Sequence, residues 1–139
     1  MMMGCVVLMG RCGVADVWCG MDSYKSLIAW QAASELCLGT LEATDTIRER
    51  RTWAVLDQLR RAVVSADVNI VEGYALGSPK QFRRHLLIAL GSAAEAERLL
   101  EIARERKYIV DAATASLLPL ADRALRTLFG LIKSKRFRE

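Results

Sequence analysis

Residues 58–73 read QLRRAVVSADVNIVEG, and the spacing of their polar residues decides the fold. At about 100° of turn per residue, Gln58, Arg61, Ser65, Asn69 and Glu72 fall within one helical sector roughly 80° wide. Apolar residues flank that line on both sides. Val55, Leu56, Leu59, Ala62, Val63, Ala66 and Ile70 lie on one side, and Trp53, Val64, Val68 and Val71 on the other. A solvated helix would carry Lys and Glu on its outer face and keep its apolar residues to a single stripe. The pattern therefore predicts a helix covered on two apolar surfaces, with paired polar groups between them. One surface suits an internal core, and the other suits a contact with another subunit.

The neighbouring segments carry helical signals of their own. A first helix is expected from about Ser23 to Thr44, capped by Asp22 or Ser23, with Leu27, Trp30, Cys37, Leu38 and Leu41 turned inward and Gly39 weakening its last third. TIRE at 46–49 has the form of a capping box, which starts the second helix near Ile47 and carries it to about Tyr74. Gly73 and Gly77 can supply positive φ at its end. SPKQ at 78–81 is a second capping box with Pro at the first helical position, opening a third helix from Pro79 to about Lys107. Phe82, Leu86, Ala89, Ala93, Ala96 and Leu100 line one side of that helix, and small residues at Gly91, Ser92, Ala93 and Ala94 would admit a close neighbour. Asp111 is placed to cap a fourth helix, in which Leu117, Ala121, Ala124, Leu128 and Leu131, with Leu118, Leu125 and Ile132 beside them, keep heptad spacing. Pro119 falls within its first turns and could delay the start. Four amphipathic helices joined by short links predict an all-α, antiparallel up-down four-helix bundle over residues 21–134, followed by a basic tail at 135–139.

Length and composition narrow the function classes. A chain of 139 residues buries one core without needing disulfides or metal. Its apolar residues, 53% of the total, are distributed periodically, and no run approaches the roughly 20 residues of a membrane span. Cys5, Cys12, Cys19 and Cys37 lack CxxC spacing, so no metal site or redox pair is expected, and the cysteines are read as reduced apolar residues in a cytoplasmic protein. Residues 1–20 are glycine-rich, without a basic region before their apolar run, and are read as an N-terminal extension from an upstream start codon rather than a signal peptide. The net charge is +4, and it is unevenly spread: from Arg104 onward nine Lys/Arg stand against four Asp/Glu, whereas residues 1–103 hold eleven against twelve.

The stretches LIAWQAASEL (27–36), QLRRAVVSADVNIVEGY (58–74), SPKQF (78–82) and LLIALGSAAEAERLLEIA (86–103) together resemble the bacterial four-helix-bundle proteins. That family includes proteins encoded in intervening sequences of large-subunit ribosomal RNA genes. The resemblance implies a four-helix protomer assembling as a homopentameric ring. It also implies a distant relationship to the accessory variability determinant of diversity-generating retroelements, a basic ring associated with a reverse transcriptase and nucleic acid. The chain departs from the family pattern at Ala75-Leu76, where Gly-Arg is common, and so lacks one expected cation beside the second helix's end. Residues 1–20 have no counterpart in the pattern.

Candidate sites follow from these placements. Arg61, Ser65, Asn69 and Glu72 share a face, but no second carboxylate is spaced to work with Glu72 and no His is near Ser65 in sequence, so no catalytic centre or cofactor is expected. Arg61 and Glu72 are expected to bond across to the third helix, with Ser92, Glu95 and Arg98 as partners. His85, the only histidine, has no Glu three residues before it, which removes a di-iron centre, and is read as a surface or interface residue. Trp30 and Trp53 occupy periodic apolar positions and are expected to pack rather than stack on bases. Lys80, Arg83 and Arg84 open the third helix, and Lys133, Lys135, Arg136 and Arg138 end the fourth. An up-down bundle brings those two groups to one end, where they would form a basic rim for RNA or DNA phosphates. The expected role is a non-enzymatic oligomeric accessory protein that binds nucleic acid, alone or with a protein partner. The alternative is a homo-oligomeric scaffold for other proteins.

Overall fold

Leucine and alanine at helical spacing draw the chain into four helices, described here by a computed structural model over residues 23–137. The α-helices are α1 (Ile28–Thr44), α2 (Trp53–Ala75), α3 (Pro79–Glu105) and α4 (Asp111–Ile132), and 3-10 turns span Tyr24–Ser26, Arg50–Thr52 and Lys135–Phe137. Cross-helix contacts set their directions. Gln58, early in α2, meets Glu95, late in α3, while Asn69 meets His85. Trp30 and Thr44 of α1 reach Asp67 and Arg60 of α2, and α4 returns to α1 through Arg123 and Glu35. The result is an all-α, antiparallel up-down four-helix bundle. Residues 1–22, with Cys5, Cys12, Cys19, Asp22 and the expected N-terminal extension, lie outside the described residues.

The core contains the positions that periodicity marked in three of the helices. Leu56, Leu59, Val63, Ala66 and Ile70 of α2, Phe82, Leu86, Ala89, Ala93, Ala96 and Leu100 of α3, and Leu117, Ala121, Ala124 and Leu128 of α4 are all buried. Helix α1 differs from expectation. Its inward face is built from small residues, Ala29, Ala32, Ala33 and Thr40 with Leu36 and Cys37, whereas Leu38 is 64% exposed. Small side chains let α1 sit close to its neighbours, and that geometry, rather than side-chain bulk, sets which face turns inward. Gly39 contributes to the same fit, since a Cβ there would stand 3.0 Å from Leu117 Cδ2.

Three helix starts also depart from the sequence reading. Ser23 accepts a hydrogen bond from Lys25 N, but it caps a 3-10 turn, and α1 proper begins at Ile28. The TIRE box does not form. Residues 47–49 are non-helical, Glu49 pairs with Arg51, and α2 begins at Trp53. Tertiary demands win there: Ile47 packs on the core, and Arg60 reaches back from α2 to donate to Thr44 Oγ1 and to the Thr44 carbonyl, satisfying an open end of α1. The third difference is at Asp111, which is the first residue of α4 rather than its cap and pairs with Lys107. Of the SPKQ reading, the cap and the proline start hold, with Ser78 Oγ accepting from Gln81 N and Pro79 opening α3.

The glycines divide by role. Gly77, at φ +69°, ends α2 in the left-handed region as expected. Gly73 stays helical, and its function is space: a Cβ would stand 2.7 Å from His85 Cβ and 3.0 Å from Phe82 Cδ2. Its smallness lets α2 and α3 approach where their polar seam ends. Gly91, by contrast, faces open space, so the small-residue run in α3 does not admit a neighbour from the same chain at that point.

Candidate functional site

The polar line of α2 becomes a hydrogen-bonded seam against α3. Gln58 Nε2 donates to Glu95 Oε1 (2.6 Å), and Arg61 donates to Gln58 Oε1. Ser65 Oγ and Ser92 Oγ lie 2.8 Å apart. Asn69 Nδ2 donates to Ser65 O and Oγ, which leaves Asn69 Oδ1 to accept from His85 Nδ1 at 2.9 Å. Glu72 Oε2 lies 3.7 Å from His85 Nδ1, beyond hydrogen-bond length, and the Glu72 side chain is 58% exposed. The hydrogen bonds to α3 expected of Arg61 and Glu72 do not form, and Gln58, Ser65 and Asn69 make the cross-helix bonds instead. Arg61 bonds within its own helix, Arg98 pairs with Glu101 rather than crossing, and Ser92 and Glu95 meet Ser65 and Gln58.

His85 departs from the surface role expected of it, because it joins this seam although it stands sixteen residues from Asn69. It reaches Ser65 only through the Asn69 amide, which cannot accept a proton, so the arrangement fixes helix register rather than activating a nucleophile. Trp30 is half-buried with its Nε1–H donating to Asp67 Oδ1 at 2.8 Å. Trp53 is 50% exposed with the Arg50 guanidinium over its ring, which excludes a core position and leaves the expected packing at an interface. Burial, and secondarily the Asp67 carboxylate, push the Cys37 thiol up to about 11, which keeps it protonated and unreactive near neutral pH. Among the described residues, no group of three or more His, Cys, Asp or Glu is placed to hold a metal, and no helix is long and apolar enough to cross a membrane.

The basic positions gather at one end of the bundle, where α1 and α3 start and α2 and α4 finish. The same end holds a chain of edge-to-face rings that sequence reasoning did not identify. Tyr24 meets Trp30 and Tyr74, Tyr74 meets Phe82, and Phe82 meets Phe137, with centroids 5.1–6.3 Å apart. The available signal was the placement of aromatics at helix ends. Phe137 thereby docks the Lys135–Phe137 turn onto the start of α3, and Arg83 and Lys133 line a common groove. Lys80, Arg83, Arg84, Lys133 and Lys135 are all exposed. Among the described residues none of these five pairs with a carboxylate, whereas Arg51, Arg60, Arg98, Lys107, Arg123 and Arg126 elsewhere do. Arg136 is described by its backbone alone, and Arg138 lies outside the described residues.

Residues 25–130 match a family model described as 23S rRNA-intervening sequence protein. Among solved structures, the chain is similar to a Bacteroides thetaiotaomicron protein of unknown function from the S23 ribosomal protein family. The TM-score is 0.70 at 23% identity, over 77% of this chain and all of that one. At that identity the likeness speaks to the fold alone. No curated protein matches the chain significantly.

Proposed function

This chain belongs to the 23S rRNA-intervening sequence protein family, and we propose that it acts as a non-enzymatic accessory protein that holds nucleic-acid phosphates on its basic end. The observation that carries this reading is the segregation of charge. Lys80, Arg83, Arg84, Lys133 and Lys135 cluster without carboxylate partners among the described residues, next to the α3 N-terminus, whose dipole also favours anions. Exposed cations left unneutralised release counterions when a polyanion binds, and that release supplies affinity without sequence specificity.

Fluorescence anisotropy with mixed-sequence RNA across a salt series tests it. Binding should weaken linearly on a log–log plot. Lys80→Glu, Arg84→Glu and Lys135→Glu together should abolish binding at moderate salt and flatten the slope by about one for each phosphate contact removed. Equal binding by the triple variant and the parent would overturn the proposal.

A second reading, a homo-oligomeric scaffold, is favoured by a separate observation. Trp53, Val64 and Val68 of α2 are 40–50% exposed on the side of the polar seam away from the core. A second copy covering that strip would give it the burial its composition suits. Assembly into a ring, and any role beside a reverse transcriptase, belong to the proposal, and the two readings are compatible, since repetition around a ring would multiply the basic end's field.

A further inference from the structure

The basic end contains more than cations. Arg83 and Lys133 line an open groove together with Leu87, Leu90, Phe129, Ile132 and Phe137. Phe129 is 49% exposed and Leu87 43%, a large apolar opening in the middle of a positive surface. The Lys133 ammonium lies over the Phe129 ring, 4.2 Å from its centroid, so a base reaches that face when the flexible lysine side chain swings off the ring towards a phosphate.

That combination discriminates between forms of nucleic acid. A duplex stacks its bases inside and offers this groove only phosphate and sugar, which leaves the apolar lining without a partner. A single strand offers both, with phosphates for Arg83 and Lys133 and unstacked base faces for Phe129 and the leucines. Lys80, Arg84 and Lys135, exposed on the same end, continue the positive surface beyond the groove. An extended polyanion could follow it farther than a short acidic peptide would reach.

We infer that the groove between α3 and α4 is a binding site for single-stranded nucleic acid, in which a base stacks on Phe129 while Arg83 and Lys133 hold the flanking phosphates. The inference rests on the phosphate-binding reading of the basic end and goes beyond it by specifying strandedness and an aromatic contact.

The test compares a labelled single-stranded RNA of about 16 nucleotides with the corresponding duplex, against the full chain. The parent should bind the single strand more tightly. Phe129→Ala should weaken single-strand binding about tenfold and leave duplex binding unchanged, and Phe129→Trp should retain it. Arg83→Gln with Lys133→Gln should weaken both and reduce the salt dependence. Phe129 is half exposed, and thermal melting of each variant checks that the fold is intact. Equal affinity for the two forms, or an unchanged Phe129→Ala variant, would overturn the groove assignment while leaving the phosphate reading in place. Failure to bind either form at low salt would overturn both. Capture of an acidic amphipathic peptide with no response to RNA would reassign the groove to a protein partner.

Discussion

Asn69 and Glu72 sit one helical turn apart on the same polar line, yet they do different physical work. Asn69 joins Ser65 of its own helix to His85 of α3, and its removal would leave the half-buried His85 Nδ1 without its hydrogen-bond partner. Glu72 stands in solvent at 3.7 Å from the imidazole. Asn69→Ala is therefore expected to cost about 1–3 kcal/mol, and Glu72→Ala less than about 0.5 kcal/mol. Urea denaturation of the two variants separates these outcomes, and equal losses would refute the distinction. The sequence placed both residues on one face but supplied no means of ranking them, because His85 reaches the seam only through the packing of α3. Arg60 teaches the same lesson. It lies one residue outside the line that periodicity drew, and its hydrogen bonds to Thr44 exist only because α1 ends beside the start of α2.

At the scale of the element, each helix start shows which local signals survive folding. The Ser78 cap forms with Pro79 at the first helical position, whereas the box at Thr46 gives way to Ile47 seeking the core. Pro119 is the other instructive position. Helix α4 runs through it without a break from Asp111, since Pro119 and Ala115 both face solvent and the carbonyl deprived of its donor can be hydrated. The missing bond still costs free energy. Pro119→Ala should raise stability by about 1–2 kcal/mol after allowing for the more flexible unfolded chain, visible as a higher denaturant midpoint. A lower midpoint would mean that the proline fits better than this account allows. The left-handed Lys107 that ends α3 is a comparable case, held by Tyr108 N donating to Ala103 O and by the Lys107–Asp111 pair.

Across the whole molecule, the basic end and the apolar strip of α2 stand open among the described residues. On the scaffold reading, light scattering should give a mass of several chains, and Val64→Lys with Val68→Glu should reduce it towards one chain without lowering the helical content. A parent that is monomeric at all concentrations would remove that reading and leave the basic end as the chief functional surface. The sequence by itself determined the helical class, the number of helices, the core faces of α2, α3 and α4, and the cap of α3, because hydrophobic periodicity and capping are local and repeat every few residues. It also placed cations at the two helix ends that an up-down order brings together. Only the tertiary structure decided that small residues turn α1 inward, that His85 completes the seam, and that rings from five segments meet beside a groove between Arg83 and Lys133. Those arrangements depend on contacts between residues far apart in the chain, whose distances and partners are set by packing, and no local pattern encodes them.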